Sequence, residues 1–198
     1  QFYSDEWAEL CVNLYYNGFL KHEYGYFPQC MSRYFFRNPD KLLEKIRGDD
    51  ALYFEFQWHY RLPSEAFFDI GQLLHWTDVM INASDSDADK VTLVGSILGK
   101  APDGDDGIFP IETVRKLLKI KKNEELTTAV ARGKINSLGL RDVEDGKKER
   151  EKSDIYKMQA RAMEIDYPQT SVILRILANF YERESKRDQI SSEIEPLQ

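Results

Sequence analysis

Residues that carry chemistry by themselves are scarce in this chain. It has two cysteines and three histidines among 198 residues. Two cysteines exclude a multi-disulfide scaffold. Cys11 and Cys30 both fall on expected helices and read as reduced core thiols. The histidines, His22, His59 and His75, are too dispersed for a histidine-rich metal centre. His75 and Asp78 share a helical face, which is half of a metal pair without its second half. No apolar run approaches the ~20 residues of a membrane span, and the opening residues do not read as a signal peptide. Positive charge is in deficit: 27 Lys plus Arg against 34 Asp plus Glu give a net charge of -7. Such a chain repels phosphate backbones unless a local patch reverses the sign. The short basic runs, Lys119 to Lys122 and Lys147 to Arg150, are interleaved with or followed by acids.

What is present is helical period. Ser4 caps a first segment in which Trp7, Leu10, Cys11, Leu14, Tyr15 and Gly18 share one stripe. Pro28 opens a helix with Met31, Tyr34 and Phe35 on one side, and Asn38-Pro39-Asp40 starts the next, with Leu42, Leu43 and Ile46 inward. Leu52 to Tyr60 is ambiguous. Phe54, Phe56, Trp58 and Tyr60 alternate like a strand, whereas Leu52, Phe56, His59 and Tyr60 group on a helix. A lone strand cannot satisfy its backbone, so helix is the expectation. From Leu62-Pro63-Ser64-Glu65 a helix is expected to run to about Ile81, with Phe67, Ile70, Gly71 and Leu74 lining one face and Phe68 widening it. Val91, Val94, Ile97 and Leu98 make one more.

A loop then divides the chain. Leu98-Gly99-Lys100-Ala101-Pro102-Asp103-Gly104-Asp105-Asp106-Gly107-Ile108-Phe109-Pro110 is too rich in turn residues for helix or strand. Gly99 is expected to stop the preceding helix in a left-handed turn and Pro110 to open the next. Phe109 should be buried as a staple, making the loop ordered and structural. Beyond it, Ile111, Val114, Leu117 and Leu118 are helical, and Asn123 can cap a helix holding Leu126, Ala129 and Val130. Gly133 to Gly146 reads as turn-rich. A long charged helix follows, about Lys147 to Tyr167, with Ile155, Met158, Ala162 and Ile165 expected inward. Tyr167-Pro168 breaks it. A last helix carries Ile173, Ile176, Leu177, Phe180 and Tyr181, with Glu182 to Asp188 a solvated end and Gln189 onward frayed.

Candidate motifs fail on chemistry. Asp85 to Asp89 begins like a calcium loop but has Lys90 for the required Gly and Ser96 for the bidentate Glu. Asp103, Asp105 and Asp106 lie in a wet loop without a rigid cage. Gly95-Ser96-Ile97-Leu98-Gly99-Lys100 imitates a phosphate-binding loop but has the wrong spacing and ends a helix instead of following a strand. No metal, cofactor or catalytic constellation is assigned. Aromatic residues make up 13% of the chain and crowd its first third. Part of them, Tyr16, Phe19, Tyr24, Tyr26 and Phe27, are the interaction candidates, a patch for another domain or subunit to cover.

Two stretches together carry a resemblance. One is the divider, with Glu112, Val114 and Arg115. The other runs from Gly146-Lys147-Lys148-Glu149-Arg150-Glu151 through Tyr156, Ala160, Tyr167-Pro168-Gln169-Thr170, Ile173-Leu174-Arg175 and Ala178 to Tyr181-Glu182-Arg183-Glu184. About half of the chain thereby resembles an uncharacterised family of bacterial proteins in which such a segment closes a much longer helix-rich chain. The family usually carries Trp where this chain has Phe109. The resemblance implies a C-terminal part of a helical-repeat protein and transfers no catalytic residue.

The expectation is an all-α fold: short antiparallel helices, helical-repeat-like or an irregular bundle, ending in a longer helical hairpin. Residues 1–198 form a single helical unit, with sub-regions 1–98 and 110–190 joined by the ordered loop 99–109. The expected function is a non-enzymatic protein-interaction or scaffolding module, cytoplasmic, whose partner is another protein or the rest of a larger chain, with no membrane and no nucleic acid. The competing reading is a subunit of a bacterial defence-type enzyme or nucleic-acid-acting system, its site assembled across helices.

Overall fold

The computed structural model describes residues 10, 29–47, 53, 56–57, 59–82, 87–138 and 146–194. Among them there are eight α-helices and no strand. They are α1 (Gln29–Arg37), α2 (Pro39–Ile46), α3 (Ile70–Asn82), α4 (Asp87–Leu98), α5 (Glu112–Lys121), α6 (Glu124–Asn136), α7 (Lys147–Met163) and α8 (Pro168–Ile194). The described residues at 53–59 are helical as well, with Phe56 and Tyr60 buried and His59 exposed. Helix therefore holds there, but on a stripe that leaves His59 out.

Buried apolar side chains from Met31 to Leu177 form one cluster. Aromatic rings dominate its first part: Phe35 meets Tyr34 edge-on at 5.5 Å and Phe56 edge-on at 5.4 Å, and Tyr60 stacks on Trp76 at 6.4 Å. Burial pushes the Tyr60 hydroxyl far above the usual tyrosine range, and that hydroxyl donates to the Ser32 carbonyl at 3.1 Å. α4 is buried on nearly every side from Leu93 to Gly99, as befits a central helix. It packs closely on α6. A Cβ on Gly95 would fall 2.7 Å from the Ala129 carbonyl carbon, and one on Gly99 would fall 2.6 Å from that of Gly133. Only small residues at 95, 99, 129 and 133 let the two backbones meet so closely.

Gly99 thus has a different role from the one expected. Its backbone is not left-handed; its N–H continues the helix by donating to Gly95 at 2.8 Å, and its missing side chain makes room for α6. For the same reason Gly133 lies inside α6 and not in a turn. Pro110 is not the first helical residue either: Ile111 precedes α5, which begins at Glu112, and the Phe109–Pro110 peptide is cis. Asn123 caps α6 as expected, accepting from the Leu126 N–H at 2.8 Å.

The stretch before α3 is also rephased. Ser64–Phe67 is a short 3-10 turn, and Asp69 starts a new helix by accepting the Gln72 N–H at 3.0 Å. Restarting at Asp69 rotates the buried face onto Leu73, Trp76, Thr77 and Met80. Phe68 is left 85% exposed, and Gly71 is exposed too.

The divider loop is tied at many points. The Gly104 N–H donates to Ile108, the Gly107 N–H to Gly104 and the Ile111 N–H to Pro102, at 2.8–3.0 Å. Phe109 is buried, with the Lys134 ammonium 4.3 Å above its ring. Arg115, only 3% exposed, reaches back from α5. It forks onto both oxygens of Asp106 at 2.6 and 2.7 Å and donates to the carbonyls of Ile108 and Pro110. Asp106 also accepts the Ile108 N–H at 3.0 Å. The Arg115 hydrogen bonds hold its carboxyl down to about 2.

Candidate functional site

α7 and α8 form the expected hairpin, and how they meet decides what α7 shows to solvent. Gly146, Ser153 and Ala160 recur every seven residues, as do Ser171, Ala178 and Ser185 on the facing helix. The two series meet in antiparallel register. Ser153 donates to the Ala178 carbonyl at 3.0 Å, Ser171 donates to the Ala160 carbonyl at 2.8 Å, and a Cβ on Gly146 would strike the Ser185 carbonyl. Seven residues is the repeat that keeps one seam facing a partner helix. Here the seam is filled by small side chains and hydroxyl-to-carbonyl bonds instead of large apolar ones. Tyr156 stacks on Tyr181 beside it at 5.7 Å, and burial pushes the Tyr156 hydroxyl up to about 12.

The seam faces Glu149, Ser153 and Ala160 inward. Ile155, Met158, Ala162 and Ile165, expected inward, consequently face out. Ile155 is 49%, Met158 65% and Ile165 90% exposed, and Ala162 is exposed as well. The spacing of i, i+3, i+7 and i+10 sets them along one side of the helix and its last turn. Charges of both signs flank them. Lys157 bridges to Glu182 at 2.9 Å and Asp154 at 3.7 Å, and Glu164 meets Arg175 at 2.7 Å. Hydrogen bonds from Lys157 and Lys186 hold Glu182 down to about 2, and Lys157 is raised in turn.

The end of α8 also departs from expectation. The helix continues to Ile194, and Ser185 and Asp188 are buried instead of solvated. The cause is the same seam, whose last small pair, Gly146 and Ser185, extends the packing of the two helices that far.

Tyr16, Phe19, Tyr24, Tyr26 and Phe27 lie outside the described residues, as do Cys11, His22 and Asp85. Of the aromatic residues that are described before the divider, Tyr34, Phe35, Phe36, Phe56, Tyr60 and Trp76 belong to the core. His75 is exposed, and its helical partner Asp78 is engaged by Lys121 of α5. No group of three metal-binding side chains occurs among the described residues, and no described helix is long and apolar enough to cross a membrane.

The outward stripe on α7 escaped sequence reasoning because large apolar residues at helical spacing read as core. The signal that could have found it is the seven-residue series of Gly, Ser and Ala on the opposite side. No known protein family, curated protein or solved structure matches the chain. A functional reading therefore rests on the chain's own residues.

Proposed function

We propose that this chain is a non-enzymatic protein-interaction or scaffolding module. In this reading it is the C-terminal part of a larger bacterial protein, works in the cytoplasm, and receives an amphipathic helix along the outward face of α7. The observation that carries the reading is the exposed row Ile155, Met158 and Ala162 on α7, continued by Ile165 in the turn after it, on a helix whose opposite face packs against α8. A helix surface is convex, so the matching partner is an elongated apolar face, and helix-to-helix packing supplies it. The mixed charges beside the row suit a partner with mixed charges of its own, which would set orientation more than affinity.

A photo-crosslinking residue placed at Met158, in the full-length protein in its own cells, tests this. Arg132, exposed on α6, is the control position. The expected adduct forms from 158 and not from 132, and peptide mapping places it on an amphipathic helical segment. Met158→Glu should abolish crosslinking from Ile155 while changing stability by no more than ~0.5 kcal/mol. Absence of an adduct from 158 would refute the reading. So would a loss in Met158→Glu large enough to show that Met158 is already packed within the chain.

A further inference from the structure

A second feature, independent of the α7 face, is the amine of Lys100. Lys100 lines a pocket of about 230 Å³ between the segment around Gln57 to Arg61, the end of α4 and the end of α6. The side chain is partly buried, and its nitrogen donates to the backbone carbonyls of Gln57 and Tyr60, the latter at 3.2 Å. Among the described residues no carboxylate and no third acceptor meets it. That set matches a neutral amine, whose two N–H groups are paired and whose lone pair needs no partner. An ammonium would keep a third N–H without a protein acceptor, in a site that already penalises its charge. The charged neighbour is Arg61, which is exposed, shares the Tyr60 carbonyl at 3.1 Å and repels a second cation. From α6, Lys134 turns to the Phe109 ring and to Asp103 instead. Burial, and then the Arg61 charge, lower Lys100 to about 7. About half of the molecules therefore carry a free amine there at neutral pH.

A neutral lysine amine is a nucleophile, whereas an ordinary protonated lysine is not. The pocket limits what it can attack. At ~30 Å³ per water the pocket holds about eight non-hydrogen atoms. Its walls are polar and offer both donors and acceptors. Gln57 gives its amide to the Ser96 hydroxyl at 3.3 Å, which leaves the Ser96 proton for an acceptor. Ser137 gives its proton to the Lys134 carbonyl at 2.7 Å, which leaves its oxygen to accept. The Asn136 amide can do either. Hydroxyl groups, which donate and accept, suit such walls. We propose that Lys100 captures a small hydroxyaldehyde as a reversible imine. The amine lone pair attacks the aldehyde carbon, and the carbinolamine so formed collapses to a C=N bond. Both amine protons leave with the aldehyde oxygen as one water, and hydrolysis reverses the step without oxidant or reductant. A proton from solvent on the imine nitrogen restores a donor for the Gln57 carbonyl, while Arg61 still serves that of Tyr60.

The experiment incubates the whole chain with glyceraldehyde and cyanoborohydride, which reduces an imine to a stable secondary amine, and maps the label by peptide mass spectrometry. Exposed Lys122 is the reference. At neutral pH, Lys100 should label about tenfold faster than Lys122 or more, and its rate should saturate with aldehyde and level off above about pH 8. In denaturing urea the preference should vanish. Propanal, which has no hydroxyl, and naphthaldehyde, which exceeds the pocket, should show little preference. Asn136→Trp, at an exposed rim position, should slow labelling of Lys100 and leave Lys122 unchanged. Because the label is read on the native chain, no Lys100 variant has to fold. Equal labelling of Lys100 and Lys122 by glyceraldehyde overturns the proposal, as does a preference that survives urea. Propanal captured as selectively as glyceraldehyde overturns the assignment to hydroxyaldehydes. Selective capture of naphthaldehyde, or capture that Asn136→Trp leaves unchanged, overturns the role of the pocket.

Discussion

Replacing Gly95 with alanine should destabilise the protein although alanine is the better helix former. The new Cβ would fall 2.7 Å from the Ala129 carbonyl carbon and 2.9 Å from its Cα, and closer still to its Cβ. Ordinary carbon contacts are ~3.5–4.0 Å, so α4 and α6 must separate by about 1 Å. Neither obstacle is the far end of a flexible side chain; both backbone atoms belong to a buried helix. Overpacking of this kind costs ~1–3 kcal/mol, and rigid obstacles place it at the upper end. Helix propensity offsets ~1 kcal/mol, leaving a net loss of ~2 kcal/mol. Separation also loosens the crossings at Gly99 and Gly133, where added Cβ atoms would meet backbone at 2.5–2.8 Å.

Urea denaturation reads this directly. With a slope of ~2 kcal/mol/M for a chain of this size, the Gly95→Ala midpoint should fall by about 1 M. Gly71→Ala is the control: Gly71 is exposed on α3, and its nearest neighbour, the Asp69 carboxylate oxygen at 3.3 Å, need give by only a few tenths of an ångström while keeping its bond from the Gln72 N–H. That variant should be neutral or gain up to ~1 kcal/mol. Adding Ala129→Gly to Gly95→Ala should recover only part of the loss, because the backbone contacts remain. A Gly95→Ala protein as stable as its parent, or more stable than Gly71→Ala, would refute the close crossing.

Three further outcomes are expected. Phe109→Ala should lose ~3 kcal/mol or more in the same titration, because a fully buried ring is removed, whereas Asp105→Ala, exposed at the turn, should lose almost nothing; equal small losses would show the loop to be a passive linker. Asp106 titrates at about 2 when folded against 3.8 ordinarily, so its contribution is complete above pH 3.8 and disappears as pH falls toward 2; Asp106→Asn should flatten that part of the acid limb, and an unchanged limb would argue against the Arg115 fork. Lys100 shifts the other way: between pH 7 and 10.5 the unfolded chain holds more protons at this site, so stability should rise with pH across that window, and thermal melts of Lys100→Met should lack that rise.

The all-helical fold was legible because most of its helices follow the rule that large apolar residues face inward. Val114, Leu117 and Leu118 do so, and Ile173, Leu177 and Tyr181 do so on α8. Local chemistry was legible where it is short-ranged: Pro39 as a first helical residue and Asn123 as a cap. What failed needed a long-range partner to be visible. Gly99 and Gly133 meet the backbone of a helix far away in sequence, and Arg115 holds a loop that lies before it in sequence. Asp69 is the exception, since it resets the phase of α3 through a bond to the nearby Gln72 N–H that the apolar pattern masked. Lys100 is another long-range case, lying 40 residues from the Tyr60 carbonyl to which its nitrogen donates.

α7 shows why size is a poor guide to facing when two helices approach closely. Burial of Ile155 and Met158 against α8 would require a wider separation, and then Ser153 and Ser171 could not reach the carbonyls of Ala178 and Ala160. Each of those hydroxyls is buried, and an unpaired buried hydroxyl costs ~1–3 kcal/mol. Placing the seam on small residues satisfies both hydroxyls, stacks Tyr156 on Tyr181 and extends the hairpin to Gly146 and Ser185. The apolar residues left outside are then a consequence of the seam's register. If the inward series were changed, with Ser153→Leu and Ala160→Leu, the hairpin should either part or rotate α7 about its axis. Rotation would bury Met158 and shield it from alkylation or oxidation, whereas parting would lower the melting temperature and leave Met158 reactive. A variant of unchanged stability with Met158 equally exposed would show that the small-residue register does not set the facing of α7.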